Sequence, residues 1–279
     1  MKHIRFALSF ALILAATPAA RAAEASAVPR IIFDTDMATD CDDAGALGVL
    51  HVLADQGECE ILATVSSSLN PTACAAVDAI NLYYGRPALP VGTVKAQGVN
   101  EGSRFTNRLA AEFPHRFRGA TEVPDALTIY RDVLERQPDG SVTIVTVGYL
   151  TNLHNLMQMA ASDAHVSGID LIRAKVKKWV CMGGNFMGSP AVDDLKLDNV
   201  NFRRDAASAY EVIRKWPTRV EFAGREVCSI PSGLKAGAVL ANTPQENPVR
   251  MAYEYYLRGP GRSRHVADLV TVLYAVRGL

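Results

Sequence analysis

Ile31-Ile32-Phe33-Asp34-Thr35-Asp36-Met37-Ala38-Thr39-Asp40-Cys41-Asp42-Asp43-Ala44-Gly45-Ala46-Leu47 is the segment on which the reading of the chain turns. An apolar, β-branched run stops abruptly, and five aspartates, Asp34, Asp36, Asp40, Asp42 and Asp43, follow within ten residues. Small apolar residues then begin a helical pattern. Strand, polar loop and helix in this order form the building unit of an α/β domain. Carboxylates crowded at a strand end repel one another, so their pKa values rise or the side chains splay apart unless a cation compensates. An all-oxygen set without nearby His or Cys suits a hard dication such as Ca²⁺ or Mg²⁺ and argues against zinc. The plainer alternative is a solvated acidic turn in which Asp42 or Asp43 caps the helix. It accounts for one or two of the five and leaves Asp34 and Asp36 unexplained.

The same unit repeats outward from this loop. Strands are expected at Arg30–Phe33, Ile61–Val65, Leu89–Val94, Val142–Val147, Lys178–Met182 and Arg219–Phe222. Helices are expected at Ala44–Ala54, Ala73–Tyr84, Asp125–Arg136, Leu150–Ala161, Ala206–Lys215, Gln245–Leu257 and Asp268–Val276. Short buried strands alternating with helices predict a largely parallel, Rossmann-like sheet with helices on both faces. Ligands in such sheets sit beyond the carboxyl ends of the strands, which draws attention to the loops after Asp34, Val65, Val147 and Met182.

Composition sets the outer bounds. The 279 residues are 49% hydrophobic and 21% charged, with 29 basic and 29 acidic side chains. This balance gives no electrostatic reason to expect nucleic acid or an anionic membrane as partner. Lys2, His3 and Arg5 precede an apolar run from Phe6 to Ala16, and Ala20-Arg21-Ala22 offers an A-x-A cleavage pattern. Residues 1–22 therefore read as a secretory signal peptide, and 23–279 as one domain exported to the periplasm or secreted. A membrane anchor is the alternative, but the run is about half the ~20 residues a spanning helix needs, so no membrane association is expected after cleavage. The five cysteines, Cys41, Cys59, Cys74, Cys181 and Cys228, show no C-x-x-C pair and read mostly as small buried residues.

The aspartate loop resembles the opening of the inosine-uridine-preferring nucleoside hydrolase family, D-x-D-P-G-x-D-D, here two residues longer. Other segments extend the likeness across most of the chain. Val145–Asn152 (VTVGYLTN) resembles the family's TGPLTN turn, and Trp179–Asn185 (WVCMGGN) its MGG strand end. Asp198–Phe202 (DNVNF) resembles its AEFN segment, with Asn199 where Glu is usual, and Asp268 matches its late aspartate. The resemblance implies a nucleoside hydrolase fold and Ca²⁺-dependent hydrolysis of the N-glycosidic bond of ribonucleosides or related N-ribosides. It assigns calcium to Asp36, Asp43, the Val147 carbonyl and Asp268, and makes Asp36 the base for the attacking water as well. Asp42, Asn70, Asn185, Asn199, Asn201 and His265 would contact substrate, and Asp34 would support the metal or the loop. Tyr149, His154, Arg225 and His265 are the candidates for leaving-group activation. The partner would be a small nucleoside or riboside, and the protein a homodimer or homotetramer.

Each late position also has an ordinary explanation. Asp268 reads equally as a helix N-cap, and the asparagines as loop residues bonding their own backbone. Glu101, Arg104, Arg116, Arg118 and Arg262 read as solvated surface. Two other functions fit parts of the pattern. A non-catalytic riboside-binding relative would explain Asn199 and the Ser67-Ser68 loop. A haloacid dehalogenase-type phosphatase would use Asp34 as nucleophile and Asp36 as acid/base with Mg²⁺, but has no use for Asp42 and Asp43.

Overall fold

The computed structural model describes residues 28–95, 97–186, 199–228 and 233–278; the signal-peptide reading falls outside them. Six strands form one sheet: β1 (Arg30–Thr35), β2 (Glu60–Ser66), β3 (Val91–Thr93), β4 (Val142–Thr146), β5 (Val176–Met182) and β6 (Arg219–Ala223). Every pairing is parallel, and the spatial order is β3-β2-β1-β4-β5-β6. The expected parallel α/β architecture is therefore present. Strand order reverses direction between β1 and β4, and a crevice opens at such a switch point because the connections leave to opposite sides. The aspartate loop follows β1 and the VGYLTN turn follows β4. The two most distinctive motifs thus lie side by side at that point, with Asp34 registered against Thr146.

Side chains alternate across the sheet with the two-residue period of a strand. Ile31 and Phe33 face one core, shared with Leu47 of α1 (Asp42–Asp55), Val77 of α2 (Ala73–Tyr83), Leu109 of α3 (Thr106–Glu112), Val249 of α10 (Pro248–Leu257) and Val272 of α11 (Ala267–Arg277). Ile32 faces the other core. There it joins Tyr130 of α4 (Ala126–Glu135), Leu153 of α5 (Thr151–Gln158), Leu171 of α6 (Gly168–Lys175) and Val212 of α8 (Ala206–Lys215). Short α7 (Val200–Arg204) and α9 (Arg225–Cys228) follow β5 and β6, and β7 (Lys235–Ala236) pairs antiparallel with β8 (Arg264–His265). Cys41, Cys59, Cys74 and Cys181 are buried free thiols, as small core residues should be. Among the described residues, no helix is long and apolar enough to cross a membrane.

Element boundaries shift where local chemistry intervenes. Helix α10 begins at Pro248 rather than Gln245, because the Asn247 side chain accepts from the Val249 amide and Pro248 occupies the first turn. Helices α3, α6 and α7 and the β7–β8 pair lie where the sequence shows only connecting segments.

Candidate active site

A cleft of about 410 Å³ opens at the switch point, lined by Asp36, Asp40, Asp42, Asp43, Val147, Asn199, Asn201, His265 and Asp268 among others. Its floor comes from opposite ends of the chain. Asp42 and Asp43 form the first turn of α1, and Asp268 that of α11. One carboxylate oxygen from each lies within 4.8 Å of the others, and all three residues are buried. Burial first, and the neighbouring carboxylates second, push all three pKa values well above the ordinary range. Asp43 is oriented by a short hydrogen bond from the Thr35 hydroxyl. That hydroxyl in turn accepts from the Met37 amide at 3.1 Å and shapes the turn.

Asp36 lines the same cleft, 3% exposed, and its Oδ2 is buried without a hydrogen-bond partner. Burial raises its pKa to about 6. An orphaned carboxylate oxygen beside three convergent carboxylates is unstable in isolation, because each buried charge lacks compensation. The donors are hard oxygens with neither His nor Cys among them, so the site fits Ca²⁺ or Mg²⁺. The Val147 carbonyl, on the cleft wall, accepts from Asn201 Nδ2 at 2.9 Å and retains a second lone pair.

Asp34, by contrast, stands apart from the cleft. Fully buried, it accepts from the Tyr130 hydroxyl at 2.8 Å and from Asn152 Nδ2 at 3.2 Å. Burial lifts its pKa to about 7 despite those donors. Its role in the geometry is to fasten the end of β1 to α4 and α5. A phosphatase nucleophile needs open access, and Asp34 has none.

The remaining expected positions divide. Asn199 and Asn201 line the cleft, but Asn199 Oδ1 also caps α7 by accepting from the Phe202 amide at 2.9 Å. Asn185 is half-buried at the end of β5 and is not among the cleft-lining residues. Asn70 also falls outside the lining. Its Oδ1 accepts from the Thr72 amide at 3.0 Å, an Asx turn into α2, while its Nδ2 donates to the Glu101 carbonyl at 2.7 Å. It supports the cleft wall through Glu101 instead of touching the cavity. Of the leaving-group candidates, Arg225 and His265 line the cleft, whereas Tyr149 and His154 do not. His265 is kept below its ordinary pKa by burial and then by Arg264 and Lys235.

The surface reading of Glu101 needs correction, whereas Arg116 is exposed as expected. Glu101 lines the cleft and forms an ion pair with Arg204 of α7. Arg116 clasps the fully buried Asp78 through Nε at 2.9 Å and Nη2 at 2.6 Å, fixing the segment after α3 to α2. Arg264, unforeseen in the sequence, pairs with Asp40 at 2.7 Å, so a protein cation compensates Asp40. Charge complementarity is the sequence signal for such pairs, but partners separated by tens to hundreds of residues carry no spacing rule.

Residues 31–278 match the family described as inosine-uridine preferring nucleoside hydrolase. The chain belongs to that family. Within the nucleoside hydrolases, its backbone is similar to an inosine-uridine preferring nucleoside hydrolase from Bacillus anthracis, with a TM-score of 0.64 at 14% identity over 90% of this chain and 82% of that one. The plant nucleoside hydrolase PpNRh1 superposes with a TM-score of 0.60 at 17% identity, covering 89% and 79% of the two chains. The type III effector XopQ, solved with adenosine diphosphate ribose, gives 0.63 at 15% identity over 90% and 82%. No curated protein matches the sequence. These likenesses establish the nucleoside hydrolase fold of the six-stranded sheet and its helices.

Proposed function

We propose that this nucleoside hydrolase family member cleaves the N-glycosidic bond of ribonucleosides or related N-ribosides by calcium-dependent attack of water. The observation that carries the reading is the meeting of Asp42, Asp43 and Asp268 with Asp36 in one cleft at the switch point of the sheet. Asp36, Asp43, Asp268 and the Val147 carbonyl would hold Ca²⁺, with Asp42 close enough to share it or to grip a ribose hydroxyl. When bound, such a dication orients sugar hydroxyls and lowers the pKa of water.

The protein groups have separable tasks. Asp36 accepts the proton of the attacking water, as a carboxylate on the cleft lining can. Asn201 lines the cleft beside Val147 and donates one amide proton to its carbonyl, leaving Oδ1 to align the sugar. Fixing the reacting groups in this way removes several kcal/mol of barrier, on the order of that seen for well-oriented intramolecular reactions. His265 and Arg225, both on the cleft lining, would support the departing base.

One observation favours a second reading, a riboside-binding protein without turnover. Asn199 spends its Oδ1 on capping α7, which limits what it offers substrate. A single experiment separates the two. Purified protein is given p-nitrophenyl riboside and a nucleoside panel, with and without calcium, before and after exhaustive chelation. Product release that chelation abolishes and calcium restores is expected, with Asp36→Ala inactive yet folded. Calorimetric binding of ribosides without product would identify the binder, and full activity after chelation would exclude the metal-dependent mechanism.

A further inference from the structure

We infer that Tyr149 is the positioning residue for Asp36, donating its phenolic hydrogen to Asp36 Oδ2 in the working enzyme; this rests on the proposed riboside hydrolysis. Tyr149 is 1% exposed, and its hydroxyl is buried without a partner. Asp36 Oδ2 is buried without a partner too. A buried hydroxyl and a buried carboxylate oxygen each cost about 1–3 kcal/mol when left unsatisfied. One group is a donor and the other an acceptor, so a single hydrogen bond between them would satisfy both.

Backbone packing makes the pairing specific. Tyr149 follows Gly148 in the turn after β4, and Gly148 lies flat against the aspartate loop. A Cβ added at Gly148 would overlap the Asp36 amide nitrogen and stand 2.7 Å from Asp36 Cβ and 2.9 Å from Ser67 Oγ. Only glycine lets the β4 turn press this closely, and the closeness brings Tyr149 to the rear of Asp36. Tyr149 does not line the cleft, whereas Asp36 does. The phenol therefore acts from behind. It holds one carboxylate oxygen and turns the other toward the cavity, where water and sugar are bound.

The test is Tyr149→Phe, which keeps the ring and removes only the hydroxyl. The expected result is a fall in kcat of about tenfold to a hundredfold, the scale of a misplaced catalytic group, with KM for the riboside within about twofold. Unchanged kcat would overturn the inference, and so would a raised KM with unchanged kcat, which would mean that the hydroxyl touches substrate instead. A wild-type protein that releases no base from any riboside defeats the proposed function itself, whereas an active wild type with an indifferent Tyr149→Phe defeats only this inference.

Discussion

Two aspartates close in type and opposite in duty show how much a single side chain's surroundings decide. Asp34 is bound by donors, Tyr130 and Asn152, and Asp268 is surrounded by other carboxylates. Replacing Asp34 by Asn puts an amide N–H against donors, so Asp34→Asn should destabilise the protein by about 1–3 kcal/mol. Replacing Asp268 by Asn removes like-charge repulsion from a buried cluster. Asp268→Asn should therefore raise the melting temperature of metal-free protein while shrinking the stabilisation that calcium confers. Thermal denaturation of both variants, with and without calcium, checks the pair. An Asp268→Asn variant that melts lower without metal and responds fully to calcium would contradict the placement of Asp268. The sequence displays all five loop aspartates alike. It is the parity of β1, with Ile32 and Asp34 directed to the face of α4 and α5, that separates the fastener from the cluster.

At the scale of elements, the strands and the longer helices were legible because each is one buried run or one amphipathic stretch. The short elements were not. Helix α3 has seven residues and starts from Ser103 Oγ, which accepts from the Phe105 and Thr106 amides. Helix α6 has a start marked only by its cap: Ser167 Oγ accepts from the Asp170 amide at 3.2 Å, and Ser-x-x-Asp is a capping pattern. The β7–β8 pair has two residues per strand, too few for periodicity. The packing of α1 on α2 supplies a pH-dependent prediction. His51 of α1 is fully buried, stacked on Tyr84 with ring centroids 4.8 Å apart. Arg86 donates to its Nδ1 at 3.2 Å, so the proton sits on Nε2, facing Asn81 Oδ1 at 2.9 Å. Burial chiefly, with Arg86 adding to it, lowers the His51 pKa from 6.5 to about 4. The unfolded chain therefore takes up this proton first, and stability is intact above pH 6.5 and lost as pH falls toward 4. The loss reaches about 3 kcal/mol at the acid end, from about 1.4 kcal/mol per pKa unit. The carboxylates near the cleft shift in the opposite sense, so the measurement is a difference. Urea denaturation of wild type against His51→Gln at pH 7 and pH 5 should show the wild type losing more stability, and parallel losses would refute the neutral buried histidine.

For the whole molecule, the decisive fact is that its proposed cation site joins the first and last helices of the described residues, α1 and α11. Helices α1 and α11 pack together on one face of the sheet, and their first turns deliver Asp42, Asp43 and Asp268 to one point. Without a cation this junction concentrates repulsion where the chain's two ends must close against each other. With one, repulsion becomes attraction, and binding to the native state alone stabilises by about 2.7 kcal/mol at a hundredfold excess over Kd. That gain should be distributed unevenly. Openings that separate α1 from α11 must release the ion, while openings on the far face need not. Hydrogen exchange with and without calcium should therefore show added protection at residues 36–46 and 267–272 together, rising by the same factor, and little change in α6. Protection confined to the N-terminal loop would mean that the ion is held there alone and that Asp268 is only the cap of its helix, which would dissolve the link between chain closure and catalysis on which the cleft depends.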